Sequence, residues 1–121
     1  MNIKDTLRKA SSTNLNEEIC GFIIIKDGNI DFLKMENRAY EKDKHFLIPA
    51  KDFLHAKENN KIIAVFHTHI QGDSKPSTFD VAMSEATCLP LVIYSNEEKK
   101  FSFYKPEFSN ENSSELERIF I

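Results

Sequence analysis

Tryptophan is absent from this sequence, and glycine appears only three times, proline four times and cysteine twice in 121 residues. So little glycine and proline excludes a collagen-like or low-complexity chain, and two cysteines cannot staple a disulfide scaffold. Cys20 and Cys88 lack the CxxC spacing of a redox or zinc pair. They sit among apolar neighbours, so buried, reduced thiols and a reducing compartment are expected. Long apolar runs are missing too. The longest, "ICGFIII", is far short of the roughly 20 residues of a membrane span. The opening "MNIKDTLRKASSTN" has scattered charges and no apolar h-region, so no membrane span and an intracellularly made, soluble chain are expected. A basic excess is also lacking. The formal net charge is -3, which offers no positive field for nucleic acid.

What is present is an ordinary globular composition, 40% hydrophobic and 29% charged, at a length that buries a core within one domain. Ile3, Leu7 and Ala10 recur at helical spacing before "SSTN" breaks the pattern. "EICGFIII" reads as a buried strand, and "KDGN" turns it into "IDFLKM", with Ile30, Phe32 and Leu33 toward the same sheet. "HFLI" suggests a further strand before Pro49. "AKDFLHAKENN" puts Phe53, Leu54 and Ala56 on a helical stripe, and "KIIAVFHTH" is the next buried strand. Ser77 after Pro76 is a natural N-cap for a helix carrying Val81, Ala82 and Met83. "LVIYS", the turn "EEKK" and "FSFYK" follow as two strands, and Ser114 with Glu117 has capping-box spacing in the terminal "ELERIFI". The order is mixed α+β in one domain over 1–106, with a tail over 107–121 that reads as a short helix, its sequence leaving open whether it docks on the domain, binds a partner or frays.

The chemistry concentrates in "VFHTHIQGDSKPSTFD". Side chains alternate along a strand, so His67 and His69 share one side while Thr68 takes the other, and both imidazoles reach one ion. Asp80, at the start of the next helix, is a third ligand of the kind a zinc site uses, leaving a position open for water. Taken singly, His-x-His at a strand end and Ser-x-x-Asp at a helix start are more often structural than metal-binding.

The full string changes that weighting. Glu18 ahead of "ICGFII", then "HTH", seven residues and "STFD", resembles the JAMM (MPN+, JAB1/MPN/Mov34) metalloprotease family, whose motif is Glu…His-x-His-x7-Ser-x-x-Asp. Every polar position is filled, by Glu18, His67, His69, Ser77 and Asp80, and the resemblance runs from about Glu17 to Pro106. "KPSTFDVAMSEATCLPLVIYS" is most similar to the prokaryotic and phage branch, which includes tail assembly proteins of the K type. There the domain is usually joined to a cell-wall endopeptidase domain, for which 121 residues leave no room. Two positions depart from the pattern. Ile70 stands where proline usually follows the second histidine, and Cys88 where glycine often precedes Leu-Pro.

The resemblance implies a JAB/MPN-like (cytidine-deaminase-like) curved mixed β-sheet flanked by helices. It implies Zn2+ on His67, His69 and Asp80, lowering the pKa of bound water from about 15.7 toward about 7. Glu18 is then the general base, and Ser77 a donor to the oxyanion of a tetrahedral intermediate, a contact worth about 2.7–4 kcal/mol in a protease. His45 and His55 lie outside the motif, and Cys20 has no orienting partner for a nucleophilic role.

The implied reaction is zinc-dependent hydrolysis of a peptide or isopeptide bond. The implied partners are a ubiquitin-like or sulfur-carrier tail, a tail protein or a cell-wall peptide. No stretch reads as the inserted segments with which eukaryotic members grip ubiquitin conjugates. The expected place is the cytoplasm of a bacterium or phage-infected host, or the virion. Two other readings stay open: a non-catalytic MPN-type assembly module of a phage tail or protein complex, and an enzyme whose 68–76 loop is ordered by a partner.

Overall fold

The computed structural model describes residues 2–121. Its elements are α1 (Ile3–Ser11), β1 (Cys20–Lys26), β2 (Asn29–Met35), α2 (Ala50–Asn59), β3 (Lys61–His69), α3 (Thr78–Thr87), β4 (Leu91–Ser95), β5 (Lys100–Tyr104) and α4 (Ser113–Phe120). The strands form a five-stranded mixed sheet in the order β2-β1-β3-β4-β5. All neighbours are antiparallel except β3 and β4, which are parallel and joined across α3. That is the α+β, mixed-sheet architecture expected.

Local chemistry explains the hairpin. Lys26 pairs with Asn29 around a two-residue loop in which Asp27 and Gly28 both have positive φ, 51° and 79°, the requirement of a type I′ turn. Gly21, paired with both Lys34 and Phe66, lies under the Phe32 ring; an added Cβ would stand 2.2 Å from the Leu33 carbonyl oxygen and 2.8 Å from that ring. Phe32 crosses the gap to meet Phe66 edge-on at 5.4 Å. Between Ile23 and Ile24 the β1–β3 register shifts, leaving Ile63 as the extra residue of a bulge, so Ile63 and Ala64 both serve one face.

Each face of the sheet carries its own core. On one, Ile23, Phe66, Val92 and Tyr94 pack against Leu7 of α1 and Leu116 and Phe120 of α4. On the other, Phe22, Ile24, Val65, Leu91 and Ile93 pack against Ala56 of α2, Phe46 of the preceding segment and Met83 of α3. The 107–121 segment therefore ends in a helix docked on the first core.

Several local expectations fail for identifiable reasons. "HFLI" forms no strand: residues 36–49 are irregular, with Arg38 N–H donating to the Leu47 carbonyl, His45 N–H to the Glu41 carbonyl, and the buried Asn37 side chain bonding the His45 carbonyl and the N–H groups of Ala39 and Leu47. Leu33 faces the second core rather than joining Ile30 and Phe32 on the first, as strand alternation demands. Leu54 is exposed because Phe53 and Ala56, three apart, already form the inward face of α2. Ser114 does not cap α4: the helix begins one residue earlier, after Asn112, and no side chain caps it. Cys88 is exposed, because it ends α3 in the left-handed conformation at φ 58°.

Candidate metal centre and catalytic cleft

The site forms at the carboxyl end of β3, where the chain leaves the sheet for the crossover helix. His67 is 1% exposed and pairs with Cys20 of β1 on one side and Ile93 of β4 on the other. Its ring stacks on Phe46 at 4.3 Å and stands 5.0 Å from the His69 ring. Thr68 points through the sheet, where its buried hydroxyl oxygen accepts the Ile19 N–H at 2.9 Å. Alternation has thus put both imidazoles on one face.

Asp80 reaches them from the first turn of α3. His67 Nε2 lies 3.4 Å from Asp80 Oδ1, and His69 Nε2 lies 3.4 Å from Asp80 Oδ2. The helix start is a capping box: Ser77 Oγ accepts the Asp80 N–H at 3.0 Å, and Asp80 Oδ2 accepts the Ser77 N–H at 2.9 Å. The cap fixes the carboxylate that faces the histidines.

These donors suit a small divalent cation. Ligands about 2.0–2.1 Å from a tetrahedral zinc stand about 3.3–3.4 Å from one another, the spacing of each imidazole nitrogen from one Asp80 oxygen, Oδ1 for His67 and Oδ2 for His69. One ligand atom from each of His67, His69 and Asp80 lies within 4.8 Å of the others. His69 Nδ1 is 2.8 Å from the Asp73 carbonyl oxygen, so Nδ1 carries a proton and donates, which leaves Nε2 to face Asp80 through a second proton or, with a metal bound, through its lone pair. Lone pair facing carboxylate is repulsive unless a proton or a metal lies between them. His67 Nδ1 is buried without a hydrogen-bond partner, and that ring is held by Phe46 instead.

The electrostatics agree. Burial would raise the Asp80 pKa, but hydrogen bonds from His67, His69 and the Ser77 N–H hold it well below the usual carboxylate range. Burial lowers His67, against the pull of Asp80, so it is neutral and able to ligate. His69 is raised: burial works against the charged form, but Asp80, the Asp73 carbonyl and Glu18 outweigh it.

Glu18 lies just before β1 rather than within it. Its N–H donates to the Lys42 carbonyl at 2.6 Å, and its carbonyl accepts from Asn37 Nδ2 at 3.0 Å. Burial pushes its carboxyl up to about 8. A cleft of about 650 Å³ brings Glu18 together with His67, His69, Ser77 and Asp80, and adds Asp43, Lys44, His45 and Phe46. The five residues of the sequence motif thus share one cleft. Cys20 is buried beside it with its thiol pushed up to about 12, first by burial and then by Glu18, so it stays protonated. His55 lies on α2, away from the residues that line the cleft.

Sequence reasoning missed Asn37 and Phe46. Asn37 Nδ2 donates to the carbonyls of Glu18 and His45, each at 3.0 Å, and Oδ1 accepts from the N–H groups of Ala39 and Leu47. This one side chain ties the Glu18 end of β1 to the segment carrying Phe46. The 70–77 loop is pinned as well: Ser95 Oγ donates to the Gly72 carbonyl at 2.6 Å, Ser102 Oγ donates to the Ser74 carbonyl, and Gly72 N–H donates to Glu97. The loop is held by its own chain.

Fold and site together define a small α+β protein whose crossover helix presents a carboxylate to two strand-borne histidines. The chain belongs to the prokaryotic homologs of the JAB domain, whose family model matches residues 2–107. It is 26% identical over 91 residues to the tail tip assembly protein K of Escherichia phage N15. That alignment takes in 75% of this chain and 37% of the phage protein, so the chain spans little more than a third of that relative. Among solved structures it is similar to protein DSY2949 from Desulfitobacterium hafniense, with TM-score 0.58 and 16% identity over 90% of this chain and 92% of that one. It is also similar to AF2198, a JAB1/MPN domain protein from Archaeoglobus fulgidus, with TM-score 0.53 and 15% identity over 90% and 93%. At these identities the likeness is one of fold. Among the described residues no helix is long and apolar enough to cross a membrane.

Proposed function

We propose that the protein is a zinc metallopeptidase that hydrolyses a peptide or isopeptide bond, with His67, His69 and Asp80 as the metal ligands. The observation that carries this reading is the pair of 3.4 Å separations between imidazole nitrogens and the Asp80 carboxylate, with Glu18 buried in the same cleft. Zinc bound there supplies Lewis-acid polarisation and acidifies a coordinated water from a pKa of about 15.7 to about 7.

The chain's own residues do the rest. Glu18, in its ionised form, takes the proton of the attacking water and returns it to the leaving amine. Ser77 uses an oxygen lone pair to hold the Asp80 N–H, which leaves its hydroxyl proton free to donate into the cleft toward the developing oxyanion. Phe46 and the Asn37 staple keep water from the buried side of His67 and fix the backbone of Glu18. The substrate class that suits the likeness to the tail tip assembly protein is a protein or peptide strand met during tail assembly, with virion association to match.

That same relative supports a second reading, in which the domain is an assembly module of a phage tail whose site is not used. Elemental analysis of protein purified without chelator or affinity metal separates the two, together with turnover of the zinc-loaded form. The enzyme reading expects about one zinc per chain, lost in Asp80→Ala, and a fall in hydrolysis of about 10² or more in Glu18→Gln with zinc retained. No zinc after reconstitution, or unchanged turnover in Glu18→Gln, overturns it.

A further inference from the structure

Next to the polar cleft lies a second, smaller cavity of about 190 Å³ between α2 and α3. Its floor is Phe22 and Phe53, whose rings meet at 5.5 Å, with Val65 of β3 and Met83 of α3 beside them. No charged residue lines it. Phe46 and Phe79 belong to both cavities. Phe46 stacks on His67, and Phe79 immediately precedes Asp80, so the apolar cavity opens one ring's width from the candidate metal ligands. Phe79 is 65% exposed although it borders an apolar hollow, so a large aromatic surface stands uncovered at the mouth.

We infer that this cavity is the specificity pocket of the enzyme, and that it takes one large apolar side chain of the substrate, of the Leu, Met or Phe type, one or two residues from the bond to be cut. The inference rests on the hydrolase reading and deepens it. A volume this far below that of a whole small-molecule site suits a single side chain. Its continuity with the cleft through two shared rings makes the occupant part of the strand lying across Glu18 and Ser77. An extended strand advances about 3.3 Å per residue, comparable to the 4.3 Å between the stacked Phe46 and His67 rings, so the side chain that enters the pocket belongs to a residue next to the scissile bond or one further. The polar cleft and the apolar pocket divide the work: main chain in the one, an apolar anchor in the other. Residues with a charged side chain at that position are rejected, because no charged residue lines the pocket to offer a counter-charge and its one side-chain hydroxyl, on Thr87, already donates to the Met83 carbonyl.

Two measurements test this, and they fail independently. In the first, zinc-loaded protein is incubated with a peptide digest of a whole proteome and the new termini are read by mass spectrometry. Leu, Met or Phe is expected at one fixed position within two residues of the cut, favoured over Ala by about tenfold or more. Met83→Lys is expected to abolish that preference with zinc content unchanged. Cuts without any apolar preference overturn the pocket and leave the hydrolase standing.

The second measurement needs no turnover. In Glu18→Gln, the methionine methyl signals are followed by NMR during titration with acetyl-Leu-Gly-Gly-amide and, separately, acetyl-Asp-Gly-Gly-amide. The Met83 methyl is expected to move with the first and not the second, while Met35, outside the pocket, stays still. Selective movement without any hydrolysis in the first experiment keeps the pocket and removes the enzyme; equal or absent movement with both peptides removes the pocket.

Discussion

Glu18 illustrates how one buried side chain couples chemistry to stability. Its ordinary value is 4.5 and burial pushes it up to about 8, so below pH 4.5 folded and unfolded chains both hold the proton. Between those values the unfolded chain releases a proton that the folded chain keeps. Stability of the metal-free protein therefore falls as pH rises through this window, by up to about 1.4 kcal/mol per unit. Glu18→Gln removes the effect. Chelator-treated Glu18→Gln is expected to outlast the chelator-treated parent in thermal melts at pH 8 and to match it near pH 4.5; equal melting points at both would show that Glu18 is not strained by burial. The motif residues were legible in the sequence because each is polar, rare in its setting and spaced by rule. Asn37 was not, because its bonds run to backbone atoms of Glu18, Ala39, His45 and Leu47, and a lone Asn in a polar stretch announces none of them.

At the scale of the element, strands and helices with strong period were readable and the exceptions have local causes. The His67/Thr68/His69 alternation and the Ser77 cap follow directly from strand geometry and from the preference for serine at an N-cap. "HFLI" misled because Phe46 and Ile48 alternate as a strand would, yet the intervening backbone is held by the Asn37 side chain, at the His45 carbonyl and the Leu47 N–H, and not by a neighbouring strand. Helix α3 carries a visible strain. Cys88 ends it at φ 58°, a conformation that suits glycine and disfavours a side chain by roughly 1 kcal/mol or more. Cys88→Gly is expected to raise stability by about 0.5–1 kcal/mol in urea unfolding, with the zinc content unchanged.

Across the whole molecule the sheet is a partition, with α1 and α4 on one side and α2, α3 and the site on the other. Sequence periodicity gave α1 and α2 apolar stripes but not which face of the sheet each would cover, since that depends on contacts between residues far apart in the chain. Leu116 of α4 is fully buried, so Leu116→Ala is expected to cost about 2–5 kcal/mol in chemical denaturation. Because α4 sits across the sheet from the cleft, the folded fraction of that variant should bind as much zinc as the parent. The Asn37 staple has its own consequence in the language of amide exchange. The N–H groups of Ala39 and Leu47 lie outside every helix and strand, yet both donate to Oδ1 of the buried Asn37, whose Nδ2 is tied to the Glu18 end of β1. They should therefore exchange on the slow timescale of the central strands, making the irregular segment around Phe46 part of the most slowly opening unit of the protein.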